Sequence, residues 1–118
     1  MNFLDAINAH VMWKQRLLRY LDGTSTENLN PETICKDNLC MLGKWIYGNE
    51  ERYIKSPVFE DVRGKHAEFH KTAAEIVRLI NASRNKEAGE LLSGDYSHLS
   101  HHLQALIRRL ARDLNFEA

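Results

Sequence analysis

Lys65-His66-Ala67-Glu68-Phe69-His70 places two histidines four residues apart. On a helix, positions i and i+4 lie one above the other on the same face. Two imidazoles so arranged can bind one transition-metal ion from a single helix. The same spacing also fits two solvated or hydrogen-bonded histidines, so the flanking pattern has to decide. Ser56-Pro57 is a strong helix start, an N-cap followed by proline at the first helical position. From there Phe59, Val62, Phe69, Ala73, Ile76 and Ile80 make a 3-4 seam that predicts a helix reaching Asn81. His66 occupies one position of that seam, and His70 lies beside it, next to Ala73 and Val77. Both histidines therefore fall on the buried face, while Gly64 projects the other way and permits a bend.

Working outward, a first helix is predicted from Phe3 to Leu21. Phe3, Ile7, Leu17 and Leu21 form its seam, with Leu4, Val11 and Leu18 alongside. Gly23 suits the left-handed cap that ends it. His10 sits inside the apolar arc and needs a hydrogen bond or a metal, because an orphaned buried polar group is costly. Lys14 reads as a snorkelling edge residue. After a polar loop from Thr24, Pro31 opens a single turn through Ile34. Asp37 is then a suitable N-cap for a short helix over Asn38–Tyr47, which carries Cys40. Gly43 inside that helix costs about 1 kcal/mol against alanine, and close approach of another helix beside Cys40 is the simplest compensation. The last helical region runs from Asn85 to Leu114, with a break or an extra short helix near Ser93-Gly94. Leu99, Leu103, Leu106, Leu110 and Leu114 form its seam. His98, His101 and His102 lie off that stripe or at its edge and read as exposed. Four apolar-striped segments with short connections predict an all-α, up-down four-helix bundle with a shorter second helix, as one domain over residues 1–118.

Composition narrows the function. The 118 residues carry 16 basic and 16 acidic side chains, so no basic excess points to nucleic acid. No apolar run approaches the ~20 residues of a membrane span, and the N-terminus lacks a signal peptide's charged start and apolar stretch. A cytoplasmic protein with no membrane association is expected. There a structural disulfide between Cys35 and Cys40 is not expected, and Cys35 reads as a bystander.

Four metal-capable side chains then point inward: His10, Cys40, His66 and His70. Three imidazoles and one thiolate suit tetrahedral Zn²⁺, one ion per chain, and four protein ligands leave no open position for catalysis. Glu68 does not make a metalloprotease motif, which requires the acid directly after the first histidine; here the order is HAEFH. No enzymatic activity is expected. Cys40 is the single redox-sensitive donor, because the thiolate is the reactive form. Trp13 and Trp45 follow ligand-bearing stretches and, with Gly43, are candidates for packing around the site.

His10 with Trp13-Lys14, Cys40-Met41-Leu42-Gly43-Lys44-Trp45 with Tyr47-Gly48, and the HAEFH pair together resemble the chemoreceptor zinc-binding domain family (CZB). The resemblance runs from about residue 3 to residue 112. It implies a helical bundle that binds zinc through three histidines and one cysteine, carried over onto His10, Cys40, His66 and His70. It also implies a regulatory role attached to chemoreceptors or diguanylate cyclases, with zinc or hypochlorous acid as stimulus and a bacterial signalling protein as partner. No such output domain fits in 118 residues, so the chain reads as a stand-alone member or an excised piece. A homodimer is expected from the apolar surface that four unequal helices leave uncovered. The competing classes are a hemerythrin- or ferritin-like di-iron bundle, which needs inward carboxylates, and a purely structural interaction module.

Overall fold

In the computed structural model, which describes residues 1–114, every regular element is helical and no strand occurs among the described residues. Helix α1 spans Phe3–Asp22, α2 Pro31–Ile34, α3 Met41–Gly48, α4 Glu50–Tyr53 and α5 Pro57–Asn81. Helix α6 (Asn85–Leu91) continues through a π-helical segment, Leu92–Tyr96, into α7 (Ser97–Asp113). The last four residues of the predicted 1–118 domain lie outside the described residues.

The up-down arrangement follows from two end-to-end contacts. At one end, the rings of Phe3 and Phe59 both pack on Trp45, with centroids 5.1 and 5.8 Å away. At the other, the Tyr20 hydroxyl donates to Asn81 Oδ1 at 2.6 Å. Helices α1 and α5 therefore run in the same direction. The turn at residues 82–84, where Ser83 takes a φ of 62°, sends α6–α7 back along them. Helix α3 also runs back, from Cys40 down to the Trp45 cluster. It is the short second member of the bundle, eight residues against 20 in α1 and 25 in α5. The molecule measures 45 × 22 × 21 Å.

Local chemistry sets most boundaries. Asn2 and Ser56 cap α1 and α5 by accepting from the amides of Asp5 and Phe59, and Gly23 ends α1 at φ 83°. The predicted α5 seam is buried through Ile76, with Ile80 half-buried. The predicted turn Pro31–Ile34 forms as α2, whereas α4 has no counterpart in the sequence reading. The predicted break near Ser93-Gly94 is the π segment. The Ser93 and Ser97 hydroxyls donate to the carbonyls of Gly89 and Leu92, satisfying backbone acceptors where the ladder widens. Tyr96, fully buried in that segment, packs its ring 5.2 Å from Phe69, and its hydroxyl has no hydrogen-bond partner among the described residues.

Three sequence expectations are corrected. Leu4, Val11 and Leu18 are exposed (62, 42 and 40%), because Ala6 and His10 take the inner face of α1. Leu99 is only half-buried, and Tyr96, Ser100 and Ile107 line the α7 core with Leu103 and Leu110. The second helix starts at Met41 and not at Asn38, and its cap is Cys40 and not Asp37. Cys40 has extended backbone (φ −82°, ψ 168°), and its sulfur accepts from the Gly43 amide at 3.4 Å. Asp37 instead accepts from the Tyr47 hydroxyl at 2.7 Å.

Candidate metal centre

Each of the four predicted donors reaches the centre for its own local reason. His10 and His66 stand at the same height on parallel helices. Each lies seven residues after an aromatic of the Trp45 cluster, Phe3 or Phe59, or about 10 Å along the axis. His70 follows one turn above His66. Cys40 approaches from the third side, on the extended residue that caps α3.

The four donor atoms lie within 4.8 Å of one another, the one such group among the described residues. Cys40 Sγ is 3.2 Å from His66 Nε2, 3.6 Å from His70 Nε2 and 4.0 Å from His10 Nε2. The two Nε2 atoms of His66 and His70 are 3.0 Å apart. Tetrahedral zinc, with bonds of about 2.0–2.3 Å, separates its donors by about 3.3–3.6 Å, so the cluster brackets the required size. No carboxylate belongs to it, which disfavours a di-iron centre.

The outer ring of partners fixes which nitrogen faces inward. His10 Nδ1–H donates to the Ala6 carbonyl at 2.7 Å, and His70 Nδ1–H donates to the Ile34 carbonyl at 3.0 Å. Each bond leaves Nε2 unprotonated and aimed at the centre, the tautomer a metal ligand needs. His66 Nδ1 is buried with no hydrogen-bond partner among the described residues, so its ring is oriented by packing among His10, His70 and the thiol.

Burial also sets the charge state. His10, His66 and His70 are 2, 0 and 4% exposed. Burial holds His10 down to about 4, against the opposing hydrogen bond to Ala6. Burial and the two neighbouring imidazoles push His66 well below the usual histidine range. Burial lowers His70 as well, partly offset by its bond to Ile34. All three are neutral at pH 7, the form in which an imidazole can bind a metal. The Cys40 thiol is pushed up by burial, against the amides of Gly43 and Leu42, so a cation is needed to draw off its proton. An anionic sulfur beside three neutral imidazoles is a donor set that fits zinc.

Gly43 holds this geometry, though not by admitting another helix. A Cβ there would meet the Asp37 carbonyl oxygen at 1.8 Å and Asn38 Cα at 3.0 Å. The incoming loop crosses α3 at this point and delivers Cys40. Trp13 is half-buried with the Arg16 guanidinium 3.8 Å from its ring centroid, beside the site. Trp45 stacks on Tyr53 and packs on Phe3 and Phe59, so it pins α3 at the bundle end. Cys35 stands outside the cluster, its thiol donating to the Glu32 carbonyl at 3.3 Å, and both cysteines are free. His98, His101 and His102 are exposed, as their helical angle predicts. The Ile34 and Ala6 carbonyls and the Asp37–Tyr47 bond are absent from the sequence reading. A small residue four positions before His10 was the only available sign of one of them.

A helical bundle with this inward donor set is a metal-binding module, and a family model gives it a place among known proteins. The chemoreceptor zinc-binding domain matches residues 10–77, more than half of the chain and all four donors. The chain belongs to the chemoreceptor zinc-binding domain family, and zinc, one ion per chain, is its cofactor. No curated protein and no solved structure matches it. No helix among the described residues is long and apolar enough to cross a membrane.

Two outcomes follow from this geometry. Gly43→Ala displaces the loop that carries Cys40, and isothermal titration is expected to record zinc affinity lowered at least tenfold, about 1.4 kcal/mol or more; an unchanged affinity would contradict the role assigned to Gly43. The second concerns pH. His10 titrates near 4 when folded and about 6.5 when unfolded, so below pH 6.5 the unfolded chain takes up the proton first. Stability of the zinc-free protein is therefore intact above pH 6.5 and falls as pH drops toward 4. At pH 5 His10 alone contributes a loss of about 2 kcal/mol, read as a lower urea midpoint that His10→Gln makes less dependent on pH.

Proposed function

We propose that His10, Cys40, His66 and His70 together hold the zinc ion and that the domain is a sensor of zinc and of oxidants, with Cys40 as the responsive ligand. The observation that carries this reading is the convergence of four donor atoms from three separate segments, two of them pre-oriented by backbone carbonyls. Bound zinc supplies the charge that keeps Cys40 a thiolate at neutral pH. Three of the donors sit on long helices, whereas Cys40 stands on a loop at the start of an eight-residue helix. With hypochlorous acid the thiolate sulfur gives up two electrons and takes the oxygen, chlorine leaves as chloride, and Cys40 becomes a sulfenic acid. A sulfenic acid is a weaker ligand, and losing it frees the Cys40 loop and α3 from the histidines.

Four protein donors leave no position for a reacting water, which supports a regulatory role over a catalytic one. The family's description as a chemoreceptor domain supports a signalling output of the chemotaxis kind, and a cyclic-di-GMP output is the other form of the same reading; unaltered motility and cyclic-di-GMP levels in a deletion strain would argue against both. A homodimer belongs to the same reading, supported by the exposed stripe of Leu4, Val11 and Leu18, spaced seven apart on α1. A monomer at every concentration in sedimentation equilibrium would remove that part.

The deciding measurement is metal content on protein purified without added metal. One zinc per chain is expected for the wild type and far less for His70→Ala. Cys40→Ser is expected to bind zinc more weakly and to lose the zinc release that hypochlorous acid triggers in the wild type. Wild-type affinity and release in that variant would sink the proposal.

A further inference from the structure

The donors are not equally shielded. His10 and His66 are closed off, but Cys40 is half-buried and shares with His70 the floor of a cleft of about 640 Å³. Trp13, Leu29 and Leu39 form walls of this cleft, with Arg16 and Glu27 at its rim. One wall belongs to residues 24–30, a stretch without regular structure between α1 and α2. This stretch is held to α1 by a two-pronged ion pair. Arg16 Nε donates to both Glu27 carboxylate oxygens at 3.2 and 3.1 Å, and its terminal nitrogen donates to Oε1 at 2.7 Å. The same guanidinium lies over the Trp13 ring on the opposite wall. Arg16 therefore clasps the two sides of the cleft together. Both partners are 39% exposed, so the clasp is weak and salt-sensitive. Leu39, 49% exposed and adjacent to Cys40, stands free of the core in the same cleft.

We infer that this cleft is the port by which zinc and small thiol-directed reagents enter and leave the site, with the Arg16–Glu27 pair as its latch and Leu39 as the residue that sets its width. The inference rests on the reading that the four side chains hold zinc. A port affects the path and not the bound state. Changes in it must therefore alter entry and exit rates by the same factor and leave their ratio, Kd, unchanged. A residue that acts on the bound state changes release and Kd together.

The zinc-loaded 118-residue chain is mixed in stopped flow with the chromogenic chelator 4-(2-pyridylazo)resorcinol, and the zinc-free protein with zinc. Glu27→Gln is expected to raise both rates about fivefold and to abolish their rise with ionic strength, the latch being electrostatic. Leu39→Trp, at an exposed position that does not disturb the core, is expected to lower both rates by about the same factor. Kd stays within about twofold in each case. Arg108→Ala, in the separate cleft beside Met1 and Leu4, should leave the rates unaltered. Normal zinc loading with rates unchanged in Glu27→Gln and Leu39→Trp overturns the port alone. So do release rates that shift only in proportion to Kd. A wild-type protein that takes up no zinc overturns the four-ligand reading and the port with it.

Discussion

The structure depends on a single demand, that four polar donor atoms meet in a space under 5 Å wide inside an apolar core. Three desolvated imidazoles are tolerated there only as neutral rings whose remaining nitrogens are satisfied or closely packed. The parallel course of α1 and α5 answers the geometric half of that demand, since the aromatic cluster around Trp45 sets both histidine-bearing helices to the same height. The carbonyls of Ala6 and Ile34 answer the chemical half by selecting the tautomer. Helix α2, only four residues long, thus has a purpose out of proportion to its size: its final carbonyl orients His70.

Rigidity is distributed unevenly around the centre. The histidines are built into helices of 20 and 25 residues that pack along their length. Cys40 depends on a loop crossing over Gly43, on one amide from α3 and on the Asp37–Tyr47 hydrogen bond. The one donor whose chemistry can change is also the one whose backbone is least constrained, and it faces the cleft. A centre assembled this way places its imidazoles and its thiol on parts of the chain that differ in constraint.

Much of this is legible in the sequence because it is local. The HAEFH pair within an unbroken apolar seam, the Ser56-Pro57 start, the Gly23 stop and the turn at Pro31 all form where the pattern places them. His10 is recognisable as buried from its helical angle alone. What escapes is tertiary. Nothing local indicates that Cys40 would displace Asp37 as the cap, since a cysteine takes that position through its other partners. The compensation at Gly43 comes from a loop whose path depends on where Cys40 must go. Leu4, Val11 and Leu18 read as core because their spacing is right, but burial is decided by which face His10 and Ala6 must present to α5.

The buried positions Ala88, Leu92, Tyr96 and Ser100 recur every fourth residue along α6, the π segment and the start of α7. In a regular α-helix each such step drifts by about 40° around the axis, so three steps would carry the stripe about 120° off the core. The wider π turn, with its i→i+5 bonds, takes back that drift by accommodating one residue more than an α turn. Elsewhere in a packed helix, losing one residue swings everything beyond it by about 100°. Within residues 92–96 the loss of one residue can be absorbed by rewinding π to α, leaving Leu103, Ile107 and Leu110 facing inward. The bundle therefore carries, in its longest uninterrupted stretch, a built-in tolerance for a change in chain length.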